Sequence, residues 1–370
     1  MSVIDVWLDD ARGMHLAHVD KLISLDLVHV VNNYGVISLL IPDDYDRFLV
    51  LDGMVEVWYL GRLESVGFIR KITKSDGSNG AQLTQITAYT GNYILTSRIV
   101  AYAAGSAQST KTDYADDMIK AVVYDNLLAG AVTLRNISGL SLTAAADVSG
   151  GVSITKSFAW KPLLDVCQDI ADASLEAGTP VYFEFIPKSI SASVIGFELT
   201  TWVNQRGQDH GSSSKDPVYI GKSIENLRNA ELIMDYSDEA NYIYAGGQGE
   251  EADRNVNQVS DSARYGASPW NRRERFTDAR NESTDAGVTA KGYEALFEGR
   301  PQSSFSGEIV STPSFQYGIH WGYGDKVIAD YRGAYYDVLI QAIRITLASD
   351  GKISTSGKLV LDTDTVGFGR

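Results

Sequence analysis

Residues Phe315 to Leu347 read FQYGIHWGYGDKVIADYRGAYYDVLIQAIRITL, and this stretch decides the fold class. It reads as a three-stranded meander. Lys326 to Asp330 makes one short strand. Tyr331-Arg332-Gly333-Ala334 is the turn, with Gly333 free to take a positive φ. Tyr335 to Ile340 is the second strand and Ala342 to Leu347 the third. In the third, Ile343, Ile345 and Leu347 share one face while Arg344 and Thr346 share the other. That period of two marks a half-buried strand. Asp350-Gly351 then turns the chain toward Leu359 to Leu361.

The N-terminal region repeats the pattern. Val3 to Leu8 is a short strand. Ile23, Leu25, Leu27, His29 and Val31 alternate with polar residues, Asn32-Asn33-Tyr34-Gly35 turns, and Ile37, Leu39 and Ile41 resume the apolar face. This is a β-hairpin. Gly53 to Leu60 and Ser65 to Thr73 pair around Gly61-Arg62, and the turn Ser75 to Gly80 leads into Gln82 to Tyr89. So many strands in about ninety residues predict a small antiparallel barrel or sandwich.

The character changes after Thr90. Asn92 to Arg98 predicts a turn or two of helix, and Ala103 to Thr112 a small polar loop. Asp113 is placed to cap a helix whose first turn carries Asp116 and Asp117, with Met118, Ile119, Val122 and Val123 on its buried side. A second helix runs through Trp160, Leu163, Leu164, Cys167, Ile170, Ala171 and Ser174, with Pro162 in its first turn. Val181 to Ile186 and Val194 to Trp202 follow as a hairpin. Asn204 to Pro217 reads as a linker or exposed loop. Glu231 to Tyr236 is expected to pair with Tyr242 to Ala245, and Gly246 to Ala267 to be irregular. Ala286, Ala290, Tyr293, Leu296 and Phe297 mark a third helix. The resulting division is a β domain over 1–100, an inserted α+β domain over 101–220, and a β region with one helix over 221–370.

Several motifs, taken in order, resemble a known group. Tyr317, Gly318, Trp321, Gly324, Asp325 and Val327 form a Tyr-Gly-x-x-Trp-x-x-Gly-Asp-x-Val run ahead of a Val- and Ile-rich strand. Upstream lie Tyr242-Ile-Tyr-Ala-Gly-Gly-Gln-Gly-Glu, Arg254, Asp261 and Trp270-Asn-Arg-Arg-Glu. Over most of the chain this is similar to the tail-tip hub proteins of tailed bacteriophages, including the siphophage Gp37-like tail proteins, a group related in fold to the trimeric baseplate hub. The resemblance implies a β-rich α+β fold with two small antiparallel, tail-tube-like β-barrel domains around inserted α+β segments. It implies a non-enzymatic virion protein at the tail tip, assembled in the host cytoplasm. Three copies would close a ring at the end of the tail tube and line the DNA ejection channel. Its neighbours would be the distal tail protein, the tail tube, the tape measure protein and tip or fibre proteins. A tail-associated cell-wall hydrolase and a receptor-binding tail protein are the alternative readings.

Composition agrees with a folded, β-leaning chain of two or three domains at about 150 residues each. Tyr (20) and Gly (34) are frequent and Pro (8) sparse, which favours strands and tight turns over coil. A net charge of −15 argues against phosphate-directed nucleic-acid binding. The single cysteine, Cys167, excludes an internal disulfide and fits a helical core. No apolar run reaches the ~20 residues that span a bilayer, and the acidic N-terminus does not read as a signal peptide.

No residue is assigned a catalytic, cofactor-binding or metal-ligating role. His15 and His18 lie three apart in a predicted loop, which is not the spacing of a helical metal pair. His29 sits in an apolar strand face, and His210 and His320 lie apart from the others. Gly246-Gly247-Gln248-Gly249 lacks the Lys of a phosphate loop and is followed by Glu250 and Glu251. Asp43-Asp44-Tyr45-Asp46 and Glu250-Glu251-Ala252-Asp253 read as solvated turns, with a calcium site as the alternative. Trp270 to Phe276 is the one basic, aromatic segment, read either as an intersubunit anchor or as a set of internal ion pairs.

Overall fold

The chain is described from a computed structural model that covers residues 3–50, 52–77, 80–101, 109–131, 134–137, 139–158, 160–282, 284–312 and 314–361. Parts of the expected turn at 75–80 and of the loop at 103–112 lie outside these residues. Two units emerge: residues 1–230 with 307–360, and residues 231–306 with 361–370.

The first unit is built on one sheet. Its N-terminal strands are β1 (Ile4–Asp9), β2 (His15–His18), β3 (Ser24–Val30), β4 (Val36–Pro42), β5 (Met54–Tyr59), β6 (Arg62–Asp76) and β7 (Gln82–Thr90). From one end, the sheet runs Leu227–Asp235, Gln302–Ile309, Ile353–Leu361, Ala334–Leu347, β3, β4, β7, β6, β5, β1 and β2. Lys326–Tyr331 branches from Ala334–Leu347, and Tyr219–Gly221 pairs with it in parallel. The β3–β4 hairpin forms as expected, with Leu25 facing Leu39 and Leu27 facing Ile37. All four are buried, each contributing about 1.5–3 kcal/mol on leaving water.

Two expectations about this sheet change. The second and third meander strands are one strand of 14 residues, Ala334–Leu347. It changes partner near Gln341. Its first half pairs with Lys326–Tyr331, and its second half with β3, Ala342 facing Val30 and Leu347 facing Leu25. The outer edge of β3, which a closed N-terminal barrel would pair with one of its own strands, is therefore occupied by the C-terminal region. Among the described residues no sheet closes into a barrel, and a 13-stranded open sheet replaces two separate ones.

The inserted segment packs two helices, α1 (Ala115–Leu127) and α2 (Leu163–Glu176), with the hairpin Val181–Ser191 and Val194–Val203. Met118, Cys167, Ile170 and Phe183 share a core with Met54 of β5 and Val66 of β6. Phe68 stacks on Phe197 at 5.2 Å. Helix α1 starts one residue later than a cap at Asp113 requires, because Asp113 ends in the strand Ser109–Tyr114. Its first-turn acids are buried: Asp116 accepts from the Gly150 amide at 2.7 Å and Asp117 from the Val148 amide at 3.1 Å. Lys120, also buried, is 3.3 Å from Asp116 Oδ2. Trp160 stands outside α2 and is exposed.

The expected linker 204–217 is pinned. The Gln208 amide donates to Asp325 Oδ1 at 2.7 Å, the His210 amide to the Lys326 carbonyl at 2.9 Å, and the Ser212 amide to Asp337 Oδ1 at 2.8 Å. Polar composition predicts a loop, and here the polar groups tie that loop to the meander.

The second unit is a three-stranded sheet with Tyr242–Gly246 at its centre, antiparallel to Val256–Ser260 and parallel to Glu274–Asp278. The helix Asp285–Glu298 covers one face, where Ile243, Val259, Ala295 and Leu296 are buried together. Thr284 caps this helix, its hydroxyl accepting from the Gly287 amide at 3.1 Å. Tyr242–Ala245 does not pair with 231–236 as expected. The strand it uses, Val256–Ser260, lies within the stretch expected to be irregular, and its mostly exposed residues hide the alternation.

Candidate functional site

Strands β1, β2 and β5 form one end of the first unit's sheet. On β1, Ile4, Val6 and Leu8 are buried, while Asp5, Trp7 and Asp9 take the other face. Trp7 faces Glu56 of β5 and Asp9 faces Met54. The pairing with β2 contains a bulge: Leu8 faces Ala17, and Asp9 faces His15, leaving Leu16 as the extra residue. A bulge of this kind re-aims a side chain, and here it sets His15 opposite Asp9. The turn joining the two strands is clamped to the Val194–Val203 strand. The Ile195 amide donates to the Gly13 carbonyl at 2.8 Å and the His15 amide to the Ser193 carbonyl at 3.1 Å. Gly13 has φ +79°, and a Cβ there would lie 2.3 Å from the Ile195 oxygen, so only glycine fits.

The outcome is a buried polar cluster. Asp9 is 1% exposed and Glu56 0%. Glu56 Oε1 lies 2.5 Å from His15 Nε2, and Glu56 Oε2 accepts from the Trp58 indole at 2.8 Å. Trp7 stacks on His15 at 4.8 Å and meets His18 edge-on at 4.9 Å. Both Asp9 oxygens are buried with no N–H donor on them, and the neighbouring acid group is Glu56. Burial, reinforced by the neighbouring charge of Glu56, pushes the Asp9 carboxyl up to about 9. His15 and His18 thus lie in a strand, not a loop, and His15 joins two acids that the sequence reading passed over. The signal was partial: Glu56 is the lone acid in the apolar run MVEVWY, while Asp9 closes the run IDVWLD, which also holds Asp5.

A second constellation in this unit explains the Tyr-Gly-x-x-Trp-x-x-Gly-Asp-x-Val run. The buried Tyr317 donates to Glu64 Oε1 at 2.5 Å and meets Trp321 edge-on at 5.0 Å. Gly318 has φ +81°, and a Cβ there would lie 2.2 Å from Arg62 Nη2. Trp321 and Val327 are core residues. Asp325 closes the turn by accepting from the Gly322 amide at 2.5 Å and the Gln208 amide at 2.7 Å. Beside it, Arg206 donates to Glu184 Oε2 at 3.0 Å and to the Tyr323 carbonyl at 2.7 Å, and stacks over the Tyr323 ring at 3.8 Å. An open cavity of about 550 Å³ lies above this turn, bordered by Arg62, His210, Tyr219, Phe315, Ile319 and His320.

The remaining candidates resolve into structure. Asp44 pairs with Lys21 at 2.9 Å and Asp46 with Lys74 at 2.5 Å, while Tyr45 is buried between them. The Gly246–Gly249 run admits a close approach, since a Cβ at Gly246 would lie 2.5 Å from the Phe276 ring. His29 packs on Tyr323 at 5.4 Å, His210 contacts the Asp216 carbonyl at 2.8 Å, and His320 accepts from the Gln316 amide at 2.9 Å. In the basic segment, Arg272 pairs with Glu274 at 2.6 Å, but Trp270 is 72% exposed.

The family model described as Siphovirus ReqiPepy6 Gp37-like protein matches residues 3–355. The chain belongs to that family. Its fold is shared with solved tail proteins. These include the tail protein from Neisseria meningitidis MC58 (TM-score 0.58, 13% identity, 98% of this chain and 99% of that one). The 43 kDa tail protein of prophage MuSo2 from Shewanella oneidensis aligns with TM-score 0.61 and 10% identity over 98% and 99%. Prophage tail protein gp18 from Listeria monocytogenes EGD-e aligns with TM-score 0.53 and 13% identity over 96% and 94%. No curated protein sequence matches. Among the described residues, no helix of this Gp37-like protein is long and apolar enough to cross a membrane.

Proposed function

We propose that this Gp37-like protein is a structural, non-catalytic component of the virion tail: the hub at the tail tip. In this reading three copies close a ring that joins the tail tube and distal tail protein to the tip or fibre proteins, with the tape measure protein above. The observation that carries the reading is the end-to-end likeness of fold to tail proteins, which spans 98% of this chain. The open sheet supports it. Its last strand, Leu227–Asp235, has no further strand beside it among the described residues and exposes the side chains of Ile233 and Met234, and such an edge is covered when copies join. In a ring the two halves of the sheet would supply two tail-tube-like arcs per chain, with the 101–220 segment inserted between them. The net charge of −15 per chain would triple, and acids facing the channel would keep DNA from adhering to it.

The mass of the purified particle in solution and its rotational symmetry in electron micrographs test this. A three-fold ring is expected, broken to single chains by Ile233→Lys with Met234→Lys. A wild-type chain that stays single at high concentration, or purified protein that clears a suspension of host cell walls, would overturn it.

A further inference from the structure

The cluster on β1, β2 and β5 holds more acceptors than donors. Asp9 offers two buried oxygens without a partner, and Glu56 offers Oε1 in the same state. His15 Nε2 lies 2.5 Å from that Oε1 without making a hydrogen bond to it. Among the described residues, no lysine or arginine pairs with Asp9 or Glu56. Burying carboxylates without a counter-charge is unfavourable, and either a bound proton or a coordinated cation relieves it. One ligand atom from each of the three residues lies within 4.8 Å of the others, a separation that small side-chain rotations close onto a single ion with bonds of about 2.0–2.2 Å.

We infer that Asp9, His15 and Glu56 bind one first-row divalent cation of the zinc or manganese class, which braces the end of the sheet. The donor set decides the class. An imidazole nitrogen with carboxylate oxygens suits these ions, whereas softer ions prefer thiolate, and Cys167 is buried in a helical core. The surroundings are those of a built site. The Trp58 indole fixes Glu56, the stacked Trp7 ring fixes the plane of His15, and the clamp at Gly13 and Ile195 fixes the hairpin that carries it. The ion's role here is structural, tying β2, a strand of only four residues, to β1 and β5.

The untagged full-length chain, stripped with EDTA and dialysed, is titrated separately with ZnCl2 and MnCl2, and with CaCl2 and MgCl2 for comparison. Calorimetry gives the stoichiometry, and tryptophan emission reports on Trp7 and Trp58. One equivalent of Zn2+ or Mn2+ per chain is expected. His15→Ala and Glu56→Gln should each weaken binding by more than about 100-fold. Trp58→Phe, which removes only the indole bond, should weaken it roughly 10-fold, in the range for an outer partner. The inference is overturned if the folded, stripped chain binds neither ion, or if Ca2+ or Mg2+ binds more tightly than both. It is equally overturned if folded His15→Ala binds as the wild type does. Should His15→Ala not fold, Trp58→Phe decides, and an unchanged affinity there refutes the site.

Discussion

At the end of the first unit's sheet, Asp9 and Glu56 share one imidazole. In the second unit, Glu239 has a guanidinium to itself. Arg264 donates to Glu239 Oε1 and Oε2, both at 2.9 Å, and Asn241 adds a bond at 3.1 Å. Both clusters bury carboxylates, and they answer burial in opposite ways. Asp9 is pushed up to about 9 because nothing offsets its lost hydration. Burial pulls Glu239 upward too, but the bonds from Arg264 and Asn241 outweigh it and hold its carboxyl below the usual range. The second cluster is complete within the chain, while the first needs a proton or an external cation.

The largest expected effect separates them by pH. In chelated protein, Asp9 binds its proton more tightly folded than unfolded. Its contribution is therefore fully present below about pH 4 and lost as pH rises through about 9. The slope should approach about 1.4 kcal/mol per pH unit. Urea melts of Asp9→Asn between pH 5 and 8 should lack this slope and show the variant more stable at pH 8. Glu239→Gln should do the reverse, losing stability above the carboxylate range and converging on wild type as pH falls. Equal slopes in all three proteins would erase the contrast.

Next, Arg264→Met leaves Glu239 buried without a counter-charge, holding only the Asn241 bond. A fully buried pair costs about 3–5 kcal/mol when broken. Arg264 is 31% exposed, so about 2–3 kcal/mol is expected. Amide exchange should speed up in Tyr242–Gly246 while β3 and β4 keep their protection.

The smallest effect concerns Arg344, which reaches Asp26 with two bonds of 2.7 Å where the C-terminal strand meets β3. Arg344 is 58% exposed and Asp26 36%. Arg344→Ala should cost under about 1 kcal/mol. A larger loss would mean that solvent-facing charges contribute as buried ones do.

The sequence made the strand faces and three main helices legible because their apolar periods are local. Leu25, Leu27, Ile37 and Leu39 needed only their neighbours to be read. Partner choice was not legible. Pairing of β3 with Ala342–Leu347 joins segments some three hundred residues apart, and nothing in either strand names the other. The Asp9–His15–Glu56 cluster was hidden for a related reason. It depends on a bulge at Leu16 and on strand order, neither of which leaves a spacing motif. The 204–217 segment misled because polar residues that bond to protein look, in sequence, like those that bond to water.

That long-range pairing also sets a schedule for synthesis. With ribosomes adding about 5–20 residues per second, roughly 15–60 s separate the emergence of Ser24 from that of Ala334. Throughout that interval β3 waits with a bare flank, open to a chaperone or to another nascent chain. That edge is therefore covered within the chain only after nearly the whole polypeptide has left the ribosome.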